Sequence, residues 1–96
     1  MVVFVNKLVL NGAPEDLERL YRSVSDFFRE QPGLLRFRLL RSRRDPAVYL
    51  NVAEWESAEL FERAVRQEWF RAAARVSEVA DGDPHLCEVV VSGGPA

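Results

Sequence analysis

Residues 47–55 read AVYLNVAEW, and the first part of this stretch repeats the start of the chain. Val48-Tyr49-Leu50-Asn51 follows Val3-Phe4-Val5-Asn6 after 45 residues, and a helical pattern comes after each copy. Each copy lies in a β-rich segment, the first of them spanning residues 2–10. The repeat predicts two neighbouring central strands that carry Asn6 and Asn51 at similar depth.

Two helices and two further strands complete the pattern. Pro14 begins the first helix, which ends at Gln31-Pro32-Gly33, and Ser57 caps a second helical region that is broken at residues 81–84. The remaining strands are predicted at residues 34–43 and 85–91. The order β-α-β-β-α-β is that of the ferredoxin-like split βαβ arrangement, an α+β fold. In it we expect the first and third strands to form a central, parallel pair.

Composition places the chain among small globular proteins. Residues 1–96 suffice for a single domain, with residues 92–96 expected as a loose tail. Hydrophobic residues make up 48% and charged residues 29%, which excludes disordered classes. No apolar run approaches the ~20 residues of a membrane span, and a net charge of −2 disfavours nucleic acid as a partner. A single cysteine and no export signal predict a cytoplasmic location.

The central strands are apolar on both sides, which predicts a homodimer. One face carries valines and a leucine at alternating positions: Val3, Val5, Val9, Val48, Leu50 and Val52. Two helices cover only one side of a four-stranded sheet, so the other side needs a second molecule. A twofold dimer that packs sheet against sheet is the commonest solution, and it gives a dimeric α+β barrel.

The opposite face holds the candidate catalytic residues Asn6, Asn51 and Trp55. Period-2 alternation places them with Phe4, Leu8, Tyr49 and Ala53. Asparagine is depleted in strands, and a buried amide without hydrogen bonds costs about 1–3 kcal/mol. The pair therefore indicates either a polar spot in an apolar pocket or a structural hydrogen-bonded pair. Trp55 is either core filler or a ring that stacks on a flat ligand, and the small Ala53 leaves room for such a ligand.

Other chemistry-bearing patterns are weak. His85 is the only histidine, so with Cys87 it supplies no ligand set for a transition metal. The chain contains no glycine-rich nucleotide or phosphate loop. The arginines of residues 36–44 are typical of a solvated strand edge rather than of a nucleic-acid site.

Several motifs in order resemble a known family. F-V-N-K near the start precedes G-A-P at the first helix, then F-F-x-x-Q-P-G, Y-x-N-x-A-x-W-x-S, and an apolar helix that contains Phe61 and Phe70. Over about residues 3–90 the chain resembles the antibiotic biosynthesis monooxygenases, and most of all the cofactor-independent anthrone oxygenases of aromatic polyketide pathways.

The resemblance implies oxidation of an anthrone-type aromatic polyketide to the quinone by O2, with no cofactor and no metal. It implies catalytic roles for Asn6, Asn51 and Trp55. The expected substrate-binding residues are Phe4, Tyr49, Ala53, Phe61 and Phe70. The base that removes the first proton stays open between an acidic substrate hydroxyl, water and Tyr49. A non-oxidative polyketide cyclase on the same barrel and a non-catalytic ligand-binding dimer are the alternatives. Haem degradation, also found in this superfamily, is disfavoured because the second helical region lacks a histidine.

Overall fold

The chain alternates strands and helices as the sequence pattern predicts. The computed structural model describes the backbone of residues 1–96 and the side chains of residues 1–67 and 75–96. The elements in chain order are β1 (Val2–Leu10), α1 (Pro14–Phe28), β2 (Leu34–Arg41), β3 (Val48–Trp55), α2 (Ala58–Ser77) and β4 (Ala80–Glu88). Neither helix, over the part of the chain that the structure describes, combines the length and apolar character of a bilayer-spanning segment.

The four strands form one sheet in the order β2-β3-β1-β4, and every neighbouring pair is antiparallel. The expectation of a parallel β1–β3 pair is therefore wrong. The crossover through α1 returns β2 in the direction of β1, and the β2–β3 hairpin then reverses the chain, so β3 runs antiparallel beside β1. The expected neighbourhood of the two asparagines is confirmed, because Asn6 and Asn51 are direct partners in the ladder.

Local signals in the sequence set the helix starts and the turn between them. Pro14 occupies the first turn of α1, with Glu15 and Asp16 at its positive end. The hydroxyl of Ser57 accepts a hydrogen bond from the backbone N–H of Leu60 at 3.2 Å, which caps α2. Gly33 has a φ of 95°, and a Cβ there would lie 2.6 Å from Leu60 Cδ1. Only glycine therefore suits this turn.

The last strand differs from the sequence prediction. It spans Ala80–Glu88, whereas residues 85–91 were expected, and Asp81-Gly82-Asp83-Pro84 lies inside it. β4 is an edge strand, and only edge strands accept a proline without losing a ladder hydrogen bond. The turn-forming residues are consequently compatible with a strand here. Val90 and Val91, which follow β4, are 85% and 88% exposed.

The helices cover one face of the sheet and form two core clusters with it. Trp55, Phe4, Ala53 and Ala64 form the first cluster, and Leu8, Leu17, Tyr49 and Ala80 form the second. Leu35, Phe37 and Leu39 alternate with arginines along β2, which predicts that all three belong to the core, and for Leu35 this prediction is wrong. A register shift between Leu34 and Arg36 turns Leu34 toward the first cluster and leaves Leu35 51% exposed. The side chains of Val3, Val5 and Val52 point to the opposite, helix-free face.

Candidate active site

A cavity of about 280 Å³ lies between the sheet and the two helices. Its described lining is mostly apolar, with aromatic rings from β1, α1, β2, β3 and α2: Phe4, Tyr21, Phe28, Phe37, Trp55 and Phe61. The carboxamides of Asn6 and Asn51 and the hydroxyl of Ser25 are polar groups in this lining. An apolar cavity with a few convergent polar groups is the usual form of a small-molecule site.

Asn51 is held by a tyrosine from the first helix. Tyr21 reaches from α1 across the cavity, and its hydroxyl donates to Oδ1 of Asn51 at 2.8 Å. Burial raises the pKa of Tyr21 well above its ordinary value of 10.0, so the hydroxyl stays protonated at neutral pH. The Tyr21 ring also packs edge-on against Phe37, with centroids 6.1 Å apart. Both contacts fix the phenol against the sheet.

Asn6 is held by the backbone of the edge strand. The N–H of Asp83 donates to Oδ1 of Asn6 at 2.9 Å. The asparagine fits beside Gly82, where an added Cβ would lie 3.2 Å from Asn6 Oδ1 and 3.5 Å from Nδ2. Both sequence-based alternatives for the asparagine pair therefore describe part of its geometry. The oxygens make structural hydrogen bonds, and the same two residues line a cavity.

Trp55 is likewise both a core residue and a cavity wall. Its side chain is 2% exposed and stands edge-on to Phe28 and Phe61, with centroid distances of 6.2 Å and 5.7 Å. Its Nε1 is buried, and it has no hydrogen-bond partner in the part of the chain that the structure describes. An unmade bond of a buried donor costs about 1–3 kcal/mol, and such groups are rare. Trp55 thus carries a donor that residues 1–67 and 75–96 do not use.

Tyr49 does not lie where the sequence places it. Its ring belongs to the second core cluster, and its hydroxyl donates to Oε2 of Glu18 at 2.6 Å, away from the cavity. Tyr49 lies near the start of β3 on the same face as Asn51, but it packs in the second cluster with Leu17 and is not among the residues that line the cavity. Burial and the Glu18 contact raise the pKa of Tyr49. Its position therefore suits neither a substrate contact nor the missing base.

The other expected substrate contacts fall into two groups. Phe4, Ala53 and Phe61 line the cavity together with both asparagines and Trp55. Phe70 lies in the part of α2 whose side chains are outside the described residues. His85 pairs with Val5 on the helix-free face, and its Nε2 lies 3.0 Å from Oδ1 of Asp83, so it points away from the cavity.

Sequence reasoning missed Tyr21, Ser25 and Gly82 as parts of the site. Tyr21 belongs to the apolar stripe of α1 and therefore resembles core, although a tyrosine on a buried stripe needs a partner for its hydroxyl. The need of the Tyr21 hydroxyl for a partner, together with an asparagine on a neighbouring strand, is the signal in the sequence that could identify Tyr21. Ser25 is buried and donates to the carbonyl of Arg22 at 3.0 Å. The sequence of residues 81–84 predicts a break in the chain rather than a strand, so it gives no reason to place Gly82 beside Asn6.

The chain belongs to the antibiotic biosynthesis monooxygenase family, whose model matches residues 1–76. Deoxynogalonate monooxygenase of Streptomyces nogalater is 38% identical over 69 residues. That alignment covers 72% of this chain and 58% of the relative's length, so the chain corresponds to little more than half of that protein.

Two solved structures are similar to this chain in both sequence and fold. SnoaB, described as a cofactor-independent oxygenase from Streptomyces nogalater, is 30% identical with a TM-score of 0.88, over 95% of this chain and 94% of its own. A variant of MhuD with two manganese protoporphyrin IX molecules per active site is 31% identical with a TM-score of 0.78. That match covers 99% of this chain and all of the MhuD chain. The same fold thus occurs in a protein described as a cofactor-independent oxygenase and in one that binds a metalloporphyrin.

Proposed function

We propose that this chain is a cofactor-independent monooxygenase that oxidises an anthrone-type aromatic polyketide to the quinone with O2. The observation that carries the proposal is one aromatic-walled cavity lined by Asn6, Asn51 and Trp55. Family membership and the similarity to SnoaB, itself described as a cofactor-independent oxygenase, support the reaction class. The anthrone as substrate rests on the resemblance together with the aromatic, mostly apolar lining.

The reaction needs little from the protein because the substrate supplies the electrons. Loss of a proton from the carbon opposite the anthrone carbonyl gives a delocalised anion. One electron passes from that anion to O2, and the resulting radical pair combines to a peroxide anion, which takes the proton back to give the hydroperoxide. Loss of water then leaves the quinone, with one oxygen atom of O2 in the product and the other in water. The protein binds the ring in a dry cavity and stabilises the anionic oxygen through positioned N–H donors.

The described residues that line the cavity carry no carboxylate, imidazole or amine to act as the base. Tyr21 lines it, but its raised pKa keeps it neutral. With Tyr49 turned toward Glu18, an acidic hydroxyl of the substrate or a water molecule is the proposed source of the first deprotonation. The protein then acts by stabilising an anion that the substrate forms readily.

We also propose that the enzyme is a homodimer that works in the cytoplasm. The helix-free face of the sheet has an apolar centre, where Val5 lies opposite Val52. Arg36 and Arg38 lie on the β2 edge of this face, and Asp81 and Asp83 lie on the β4 edge. A twofold axis through the centre would bring each basic edge to the partner's acidic edge, which favours a second copy of this chain as the occupant.

Oxygen consumption by the chelator-treated protein with an anthrone tests the proposed reaction. We expect O2 uptake and quinone in equal amounts, and no product under argon. Product formation under argon would instead indicate a cyclase. If no anthrone gives either O2 uptake or product, the chain would be a binding protein. Titration with haem is the companion measurement, since a stoichiometric Soret band would favour the ligand chemistry of MhuD. The absence of histidine from residues 61–79 predicts no such band.

A further inference from the structure

The two carboxamides of the cavity are oriented by groups that hold only their oxygens. Asn6 Oδ1 accepts from the backbone N–H of Asp83, and Asn51 Oδ1 accepts from the hydroxyl of Tyr21. A backbone N–H can only donate, so the orientation of the Asn6 amide is fixed by chemistry. Neither Nδ2 atom makes a hydrogen bond within the described part of the chain.

The Tyr21 contact has the same polarity as the backbone contact. A phenol can donate or accept, and the partly buried Tyr21 hydroxyl stays protonated, so it has a proton to donate to an acceptor. Asn51 Oδ1 at 2.8 Å is that acceptor. Each amide oxygen therefore accepts a hydrogen bond from the protein, and both NH2 groups are left for a ligand. Because Asn6 and Asn51 are direct antiparallel partners, their Cβ atoms lie about 4.5–5.5 Å apart, and their NH2 groups serve one small region.

We infer that Tyr21 is a positioning residue, which together with the Asp83 backbone N–H turns the amide donors of Asn51 and Asn6 toward the ligand and so selects a planar molecule with an anionic oxygen. The inference rests on the proposed function for the identity of the ring system. Two amide N–H donors stabilise an enolate or phenolate oxygen more than a neutral hydroxyl, because hydrogen bonds to an ionised acceptor are the stronger ones.

The test is a binding titration without turnover. The probe is 2-hydroxyanthraquinone, a planar phenol whose visible absorption moves to longer wavelength when it ionises. We expect the wild-type protein to lower the pKa of the bound phenol. Tyr21→Phe should lose about tenfold in preference for the phenolate, which is about one unit of the ligand's pKa. Anthraquinone, which lacks the hydroxyl, should bind the wild type and the variant equally.

Tyr49→Phe is the matched control, because it also removes a buried phenolic hydroxyl, but one that bonds Glu18 outside the cavity. It should keep the wild-type preference for the phenolate. An unchanged ligand pKa in Tyr21→Phe overturns the inference, as does an unshifted ligand pKa in the wild type. The inference is also overturned if Tyr21→Phe weakens the binding of anthraquinone as much as that of the phenolate. The hydroxyl would then act on the cavity as a whole.

A second variant covers the case in which Tyr21→Phe does not fold. Gly82→Ala places a Cβ against Asn6 Oδ1 and should displace that amide, with a similar loss of preference for the phenolate. Gly12→Ala is its control, because a Cβ there makes only ordinary contacts with Val79 at 3.6–3.7 Å. The inference is overturned if the bound phenol has the same pKa in Gly82→Ala as in the wild type. If the wild type lowers the pKa of the bound phenol but oxidises no anthrone, only the proposed function is overturned.

Discussion

Asn6 and Asn51 face each other across β1 and β3, yet their oxygens bond to different elements, one to the edge strand β4 and one to helix α1. The pair therefore connects β4 and α1 through its oxygens, and its nitrogens make no hydrogen bond to the side chains and backbone that the structure describes. This arrangement explains how two asparagines are tolerated in the middle of a sheet, where the residue is normally depleted. It also leaves the pair ready to bind an oxygen atom of a ligand.

Removal of either carboxamide should slow the reaction far more than it weakens substrate binding. Asn51→Ala and Asn6→Ala each delete one donor to the developing anion, and loss of such a donor typically costs 10²–10³ in kcat. Steady-state kinetics with an anthrone measures the effect, with KM expected to change by less than about threefold. The substitution Ser23→Ala, on the exposed side of α1, is the control. A wild-type kcat in both asparagine variants would contradict the assigned site.

Filling the cavity should remove ligand binding without unfolding the protein. Ala53→Leu projects into the space of about 280 Å³, which has room for the larger side chain. Ala64→Leu is the comparison, because Ala64 is 2% exposed within packed core and is not a lining residue. Overpacking there should destabilise the fold by about 1–3 kcal/mol.

Denaturant titration and anthraquinone binding separate the two alanine variants. We expect Ala53→Leu to keep most of its stability and lose the ligand, and Ala64→Leu to lose stability. Equal destabilisation by both substitutions would mean that no usable cavity exists beside Ala53.

The pH dependence of turnover should follow the substrate and not the protein. The described lining offers no carboxylate or imidazole, and Tyr21 keeps its proton because burial raises its pKa. The profile of kcat/KM reports the ionisations of the free enzyme and the free substrate. With two anthrones of different acidity, we expect the midpoint to move with the pKa of the anthrone. A midpoint common to both substrates would identify a base in the protein.

A charge at the centre of the helix-free face should separate the proposed dimer. Val52→Glu places carboxylates where two apolar sheet faces would meet, and an unpaired buried charge is strongly unfavourable. Sedimentation equilibrium should show a dimer for the wild type and a monomer for the variant. Ser23→Glu adds the same charge on the exposed side of α1 and should leave the dimer intact. A monomeric wild type would contradict the proposed assembly.

Short-range patterns predicted more of the fold than long-range ones. The strand β1 and the starts of α1 and α2 follow from alternation, Pro14 and Ser57, whose signals lie within a few residues. The relative direction of β1 and β3 depends on two connections at once, and the repeat of Asn6 in Asn51 carries no information about direction. The prediction for β4 is wrong because Gly82 and Pro84 normally indicate a turn. They are compatible with a strand only at the edge of a sheet, and the sequence does not show which strand lies at the edge.

The site was predicted in part for a similar reason. Alternation along a strand places Asn6, Asn51, Ala53 and Trp55 on one face, and these residues do line one cavity. The same rule placed Tyr49 with them, but alternation fixes only the face and not the depth, which the packing against Leu17 decides. The role of Tyr21 does not follow from local sequence patterns, because its partner Asn51 is 30 residues away in the sequence.

The most direct test of the proposed reaction is oxygen labelling with the metal-free enzyme. An anthrone is turned over under ¹⁸O2 in unlabelled water, and the quinone is analysed by mass spectrometry before carbonyl exchange. The proposed mechanism predicts one ¹⁸O atom per quinone formed. A quinone without label, or the same rate after O2 is removed, would contradict it.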